Sequence, residues 1–212
     1  MTFDRPTTLP PSWAESLLRL ILAPEDRDCV SGDLLEEYRE SIVPALGAKA
    51  NRWYIRQVAG YVLSATWMWA VLVGAICIWR YLLDTLAPIH YTRGVIALRS
   101  AIMSWALIAT CSGCGAWHAW RTRHLRAGML LALIAATMGG YLGMAGTLIS
   151  LAISHGSETM AAIEGSGGLF EGFPGVPLLL MILAFITGTA GALAGRAAAA
   201  IYGWSRPNTK SA

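Results

Sequence analysis

Apolar positions recur at two spacings along this chain. Up to about residue 57 they fall three and four apart among charged residues, the pattern of short amphipathic helices. Beyond that they merge into runs of about twenty, long enough to cross a hydrocarbon layer of about 30 Å as helix. The chain therefore reads as all-α, with a polar helical headpiece (residues 1–57) ahead of a membrane domain (58–204) and a short tail (205–212).

In the headpiece, Ser12 followed by Glu15 forms a capping-box pattern that starts a first helix, with Trp13, Leu17, Leu20 and Ile21 as its inward stripe. Pro24 closes that helix and suits the first turn of the next, where Glu25, Asp26 and Asp28 favour the helix N-terminus. The second helix is expected over about 25–43, ahead of Pro44, with Val30, Leu34, Leu35, Tyr38 and Ile42 inward. Gly32 lies in its interior, which implies a neighbouring element packed against bare backbone. Asp33, Glu36, Glu37 and Glu40 line the opposite side, either as a solvated face or as a docking face. The face around Gly32, Asp33, Glu36, Glu37 and Tyr38 is the candidate docking site. Gly47 is a helix stop. A third helix starts near Ala48 and carries Lys49, Arg52 and Arg56, with Trp53 and Tyr54 beside them. Arg52, Trp53, Tyr54 and Arg56 suit the cytoplasmic membrane interface, where cations meet lipid phosphates and rings sit at headgroup depth. The alternative for the basic side is pairing with the acidic face of the second helix. The third helix should run directly into the first span.

Spans are expected at 58–79, 100–120, 127–153 and 176–204, giving four transmembrane helices. Arg80, Asp84, Pro88, His90 and Arg93 fall in the first loop, and three arginines crowd the second, at 121–126. The third loop, 154–175, has no Lys or Arg but has Glu158, Glu164 and Glu171. By the positive-inside rule both termini are cytoplasmic, and Arg196 is a snorkelling anchor near that interface. Gly139, Gly143 and Gly146 in the third span and Gly188, Gly191 and Gly195 in the fourth let helix backbones approach, which points to a tight hairpin of spans three and four, or to homo-oligomer contacts.

Composition agrees: 55% of the 212 residues are hydrophobic and 14% charged, against about 25% charged in soluble domains. Nine of the thirteen acidic residues precede Val58, and no strong basic patch suits nucleic acid. The first apolar run, 17–23, is short and contains Arg19, unlike a cleavable signal. The four cysteines do not form a secreted disulfide framework and are expected to be reduced thiols.

The runs P-P-S-W-A-E-S-L-L, P-E-D-R-D-C-V-S-G-D-L-L-E-E-Y and G-A-K-A-N-R-W-Y-I-R-Q-V resemble the second type of permease prefix domain over residues 9–64. That family precedes macrolide-export-type ABC permeases and also occurs as short stand-alone bacterial membrane proteins, often encoded near PadR-type regulators. The resemblance implies a short member in the bacterial inner membrane, associated with an ABC permease, its ATPase or a PadR-type regulator. It carries over no catalytic residues.

Candidate chemistry is sparse. Cys111, Cys114 and His118 share a helix face at i, i+3 and i+7, but a structural zinc site needs four ligands and a redox C-x-x-C an exposed helix start, so packing is the expected role. No phosphate-cradling G-x-x-x-x-G-K-[ST] run occurs, nor H-E-x-x-H or G-x-S-x-G. No cofactor is expected. The function expected is a non-enzymatic accessory or regulatory membrane protein of a transport system. The alternatives are a small oligomeric transporter or pore and, behind it, a thiol redox protein.

Overall fold

A computed structural model of the chain describes residues 9–86, 93–154 and 168–204. Every regular element among them is helical. Helix α1 (Ser12–Ile21) ends where Leu22 and Ala23 turn extended, as a residue before proline must, and Pro24 opens α2 (Pro24–Glu37) at its first turn. Residues Tyr38–Ile42 form one π-helical turn, in which the Val43 N–H reaches back to Tyr38 O. The widened turn lies just before Pro44, which has no N–H for the usual bond to the previous turn, so the expected stop becomes a register change. A short α3 (Val43–Leu46) follows. At Gly47, φ is +52°, a left-handed conformation that favours glycine, and a 3₁₀ turn (Gly47–Lys49) leads into α4 (Ala50–Leu86).

Two features of the first helices differ from expectation. Ser12 lies inside α1, whose cap is Pro11 without a side-chain bond, so no capping box forms. The buried stripe of α1 is Ala14, Leu18 and Ile21, with Leu17 partly covered and Trp13 57% exposed. The helix is turned by about one residue, 100°, from the face the spacing indicated.

Helix α4 is one uninterrupted helix of 37 residues. Its first turns supply Ala50, Tyr54 and Val58 to a core completed by Ala14 and Leu18 of α1, Leu34 of α2 and Tyr38. Tyr38 and Tyr54 meet edge to face, with ring centroids 5.5 Å apart. Burying an aliphatic side chain contributes about 1.5–3 kcal/mol, so this small unit draws much of its stability from α4 itself. Further along, Ala70 and Val73 of the same helix are buried among α5 (Arg93–Thr122), α6 (Leu125–Ser154) and α7 (Gly168–Trp204). The first and last of these helices extend beyond the expected spans. Arg80, Asp84 and Arg93 stand in helices rather than in the first loop, Glu171 stands within α7, and the second loop shrinks to Arg123 and His124. Residues 87–92, with Pro88 and His90, and 155–167, with Glu158 and Glu164, lie outside the described residues.

Three helical segments are long and apolar enough to cross a membrane: the continuous run Pro24–Trp79, Leu125–Ile149 and Gly175–Tyr202. Their outward positions carry Trp67, Met68, Val71, Leu72, Leu148, Ile149, Leu178, Leu179, Phe185 and Ile186, all exposed. Inward threonine hydroxyls are satisfied within their own helices, Thr66 bonding Val62 O at 2.8 Å and Thr147 bonding Gly143 O at 2.9 Å. That local solution suits surroundings without water.

The glycines pair the helices differently from the expected hairpin. A β-carbon on Gly139 would lie 2.5 Å from Val73 Cβ, and one on Gly143 2.6 Å from Cys77 Cβ; one on Gly146 would run into Ile78. All three partners are on α4. Gly191 and Gly195 of α7 instead face α5, where their β-carbons would overlap Ser112 O and Ala116 O, whereas Gly188 lies against Ala132 Cβ of α6, as the hairpin expectation had it, with Cys111 O of α5 further off. Ser112 Oγ also donates to Thr187 O at 3.1 Å. The close pairs are therefore α4 with α6 and α5 with α7. Helices α6 and α7 also pack together, through Gly188 on Ala132, Gly128 on Ala192 and Gly140, which makes room for Pro177.

Candidate functional site

The N-terminal unit meets the four-helix bundle at the turn between α5 and α6. Helix α5 ends at Thr122 because Arg123 adopts φ 59°, left-handed backbone that costs a non-glycine residue about 1–2 kcal/mol. Several contacts hold it there. The Thr122 hydroxyl bonds His118 O at 2.7 Å, and the His124 N–H donates back to that hydroxyl at 3.3 Å. Arg196 of α7 donates from a guanidinium nitrogen to Arg123 O at 2.6 Å. From the other side, Arg27 of α2 donates to Leu22 O at 3.3 Å and, more weakly, to Thr122 O at 3.5 Å. Two guanidinium groups from distant parts of the chain thus sit on consecutive peptide carbonyls at the C-terminus of α5, the negative end of the helix dipole.

His124 completes the cluster. Burial, then the nearby Arg27 and Arg196, hold its imidazole below the ordinary value. Arg27 Nε is buried and has no hydrogen-bond partner. Arg121, Arg123 and Arg126 are exposed around the turn. Among the described residues no carboxylate forms an ion pair with this group; Glu15 pairs instead with Arg19 on α1, at 3.3 Å.

The residues singled out from sequence separate into two groups. Asp33, Glu36 and Glu37 on α2 and Glu40 in the π turn are all exposed, and none pairs with Lys49 of the 3₁₀ turn or with Arg52 or Arg56 of α4, which are exposed too. Cys29, also exposed, donates to Asp33 Oδ2 at 3.6 Å, and the Asp33 charge raises its thiol pKa. Gly32 is exposed, and nothing lies within 4 Å of where its β-carbon would stand, so the close-packing role expected for it is corrected. Tyr38 is 1% exposed and donates to Asn51 Oδ1, so it shapes the acidic face from beneath. Tyr54 is fully buried in the N-terminal core, and its hydroxyl has no partner. It is therefore not an interface anchor; among the four candidates Arg52 and Arg56 are exposed and Trp53 is half-buried.

Cys111, Cys114 and His118 do share one face, and that face points into the bundle. Cys111 packs with Val73, Ala136 and Ala184, and Cys114 with Ala132 and Ala135. Among the described residues no three potential metal-ligating side chains gather, so the weak candidate site there is not formed. All four cysteines are free thiols. His118 Nε2 is buried without a partner.

Sequence reasoning missed Arg27. Its signal was a single cation among Glu25, Asp26 and Asp28 at the start of α2, where the helix dipole disfavours it; such a residue needs a partner elsewhere. Comparison with known protein families, with curated proteins and with solved structures finds no match to this chain.

Proposed function

We propose that the protein is a non-enzymatic accessory or regulatory element of a membrane transport system, with α4, α5, α6 and α7 as four transmembrane helices and both termini on the cytoplasmic side of a bacterial inner membrane. In this reading the exposed face of Asp33, Glu36 and Glu37 docks on a basic surface of a partner such as an ABC permease or its ATPase. The observation that carries it is the shared helix: α4 belongs to the N-terminal core at Tyr54 and Val58 and to the bundle at Ala70 and Val73, without a break. A push on the N-terminal unit therefore moves a membrane helix. The prefix-domain resemblance supports the choice of partner.

Helix α5 supports the four-span reading although its mean hydropathy is lower. Its inward side holds Thr110, Cys111, Cys114, His118 and Thr122, whereas Leu98, Ile102 and Trp105 face outward. The test is affinity purification of the full chain from membranes, wild type against the Asp33→Lys, Glu37→Lys double variant. Loss of a transporter component supports docking; an unchanged set of partners leaves the acidic face as solvated surface.

A further inference from the structure

We propose that the cluster of Arg27, His124 and Arg196 around residues 122–124 binds the phosphate of an anionic phospholipid headgroup. The inference rests on the membrane placement above but not on the docking reading. Three cationic or proton-bearing groups from α2, the α5–α6 turn and α7 are tied to one tripeptide: Arg27 through Thr122 O, Arg196 through Arg123 O, and His124 by being its third residue. Each guanidinium spends only part of its five donors on a carbonyl. Arg27 Nε, buried and unpartnered, is a donor that nothing among the described residues satisfies, and leaving such a group unpaired costs more than the bond itself contributes.

An anion from outside would supply an acceptor for it. Glu25, Asp26 and Asp28 are near Arg27 in sequence, yet none comes within ion-pair distance of it, because adjacent helical positions point to different sides. A phosphate oxygen accepts from planar guanidinium groups in paired geometry, and Arg is well suited to this. The surroundings select a lipid over a free ion. Trp117 and Trp120 stand exposed on the last turns of α5, with ring centroids 5.6 Å apart. Such rings prefer headgroup depth and leave an apolar wall for the acyl chain.

The experiment uses the full-length protein purified in neutral detergent, titrated with short-chain phosphatidylglycerol, phosphatidylcholine of equal chain length, or inorganic phosphate, while the thermal midpoint is followed. Phosphatidylglycerol is expected to raise the midpoint saturably. Arg196→Gln weakens the half-saturating concentration by about tenfold, as for one charge-assisted bond. His124→Glu, which places a carboxylate beside both guanidinium groups without removing a side-chain hydrogen bond, abolishes the response even if Arg196→Gln fails to fold. Arg39→Gln removes the same single charge as Arg196→Gln from an exposed site outside the cluster and retains the response, and Asp33→Lys with Glu37→Lys retains it too, which separates this test from the docking reading. The proposal is overturned if the Arg39 variant loses the response equally, if inorganic phosphate matches the lipid at the same concentration, or if phosphatidylcholine gives an equal shift that survives His124→Glu.

Discussion

Gly143→Ala tests the α4–α6 pairing at a contact made by one side chain. The added methyl would stand 2.6 Å from Cys77 Cβ and 3.5 Å from Cys77 Sγ, while the next atom, Gly74 O, is 3.7 Å away at ordinary contact. To reach a normal carbon–carbon separation of about 3.5–4.0 Å, α4 and α6 must part by about 1 Å or tilt. Overpacking of this kind costs about 1–3 kcal/mol. The offending atoms all belong to one side chain, so Cys77→Gly should make room. Alone, that second change loses a thiol contact and some helix propensity, about 1 kcal/mol. Combined with Gly143→Ala it should cost about 1–2 kcal/mol less than the sum. Unfolding in mixed micelles by a denaturing detergent, followed by circular dichroism, gives the four corners of the cycle. Gly191→Ala with Cys77→Gly is the control, since Gly191 lies on Ser112 of α5, and it should be additive within about 0.5 kcal/mol. Additivity of Gly143 with Cys77 would refute the α4–α6 contact and return the glycines to an α6–α7 hairpin.

Gly32→Ala should stabilise the protein by about 1 kcal/mol, because the position is an open helix interior; thermal or detergent unfolding reads it, and a loss would mean the backbone there is covered. Tyr54→Phe removes a buried hydroxyl without a partner and should be neutral or stabilising, whereas Tyr38→Phe removes the bond to Asn51 and should cost about 1 kcal/mol. His124 has a depressed folded-state pKa, so the unfolded chain takes up its proton first; stability should fall as pH drops through the ordinary histidine value near 6.5, and His124→Gln should flatten that part of the profile. Cys29 is exposed but its thiolate is disfavoured by Asp33, so Asp33→Asn should speed its alkylation at neutral pH, measured by timed maleimide labelling, while the buried Cys111 and Cys114 react only on unfolding.

The elements themselves were legible because proline, glycine and apolar run length act locally: Pro24, Gly47 and the long run after Val58 mark boundaries whatever surrounds them. What was hidden was which side of a helix each residue faces. Tyr54 beside Arg52 and Arg56 has the composition of a membrane interface, yet the rotation of α4 carries it into the core against Tyr38. Gly139, Gly143 and Gly146 announce a close helix neighbour, but spacing within one helix is silent on which helix it is. The adjacency of spans three and four in the chain favoured a hairpin, and the packing placed α4 there instead. The Arg27 and Arg196 contacts at residues 122–123 depend on three segments far apart in sequence, and no local pattern encodes such a meeting.

Helix α5 shows why a hydropathy average misleads in such a bundle. An average runs around the whole helix, but solvent or lipid meets one side only. The residues that lower it, Ser112, Gly113, Gly115, His118 and Thr122, lie on or beside the face against α7 and α4. There Gly115 approaches the Gly188 backbone, Gly113 lies 3.5 Å from the Trp69 ring and Ser112 donates to Thr187 O. Small size and hydrogen-bonding capacity are what that contact needs, since dispersion packing and backbone approach hold apolar helices together more than exclusion from water does. The same inward polarity leaves Leu98, Ile102 and Trp105 outside, and the exposed Ser104 hydroxyl is satisfied within the helix by Ser100 O at 2.9 Å, so α5 presents a mainly apolar surface. The glycines that bring α7 onto α5 and the apolar exterior are thus one solution: the polar side of α5 is tolerable because α7 covers it.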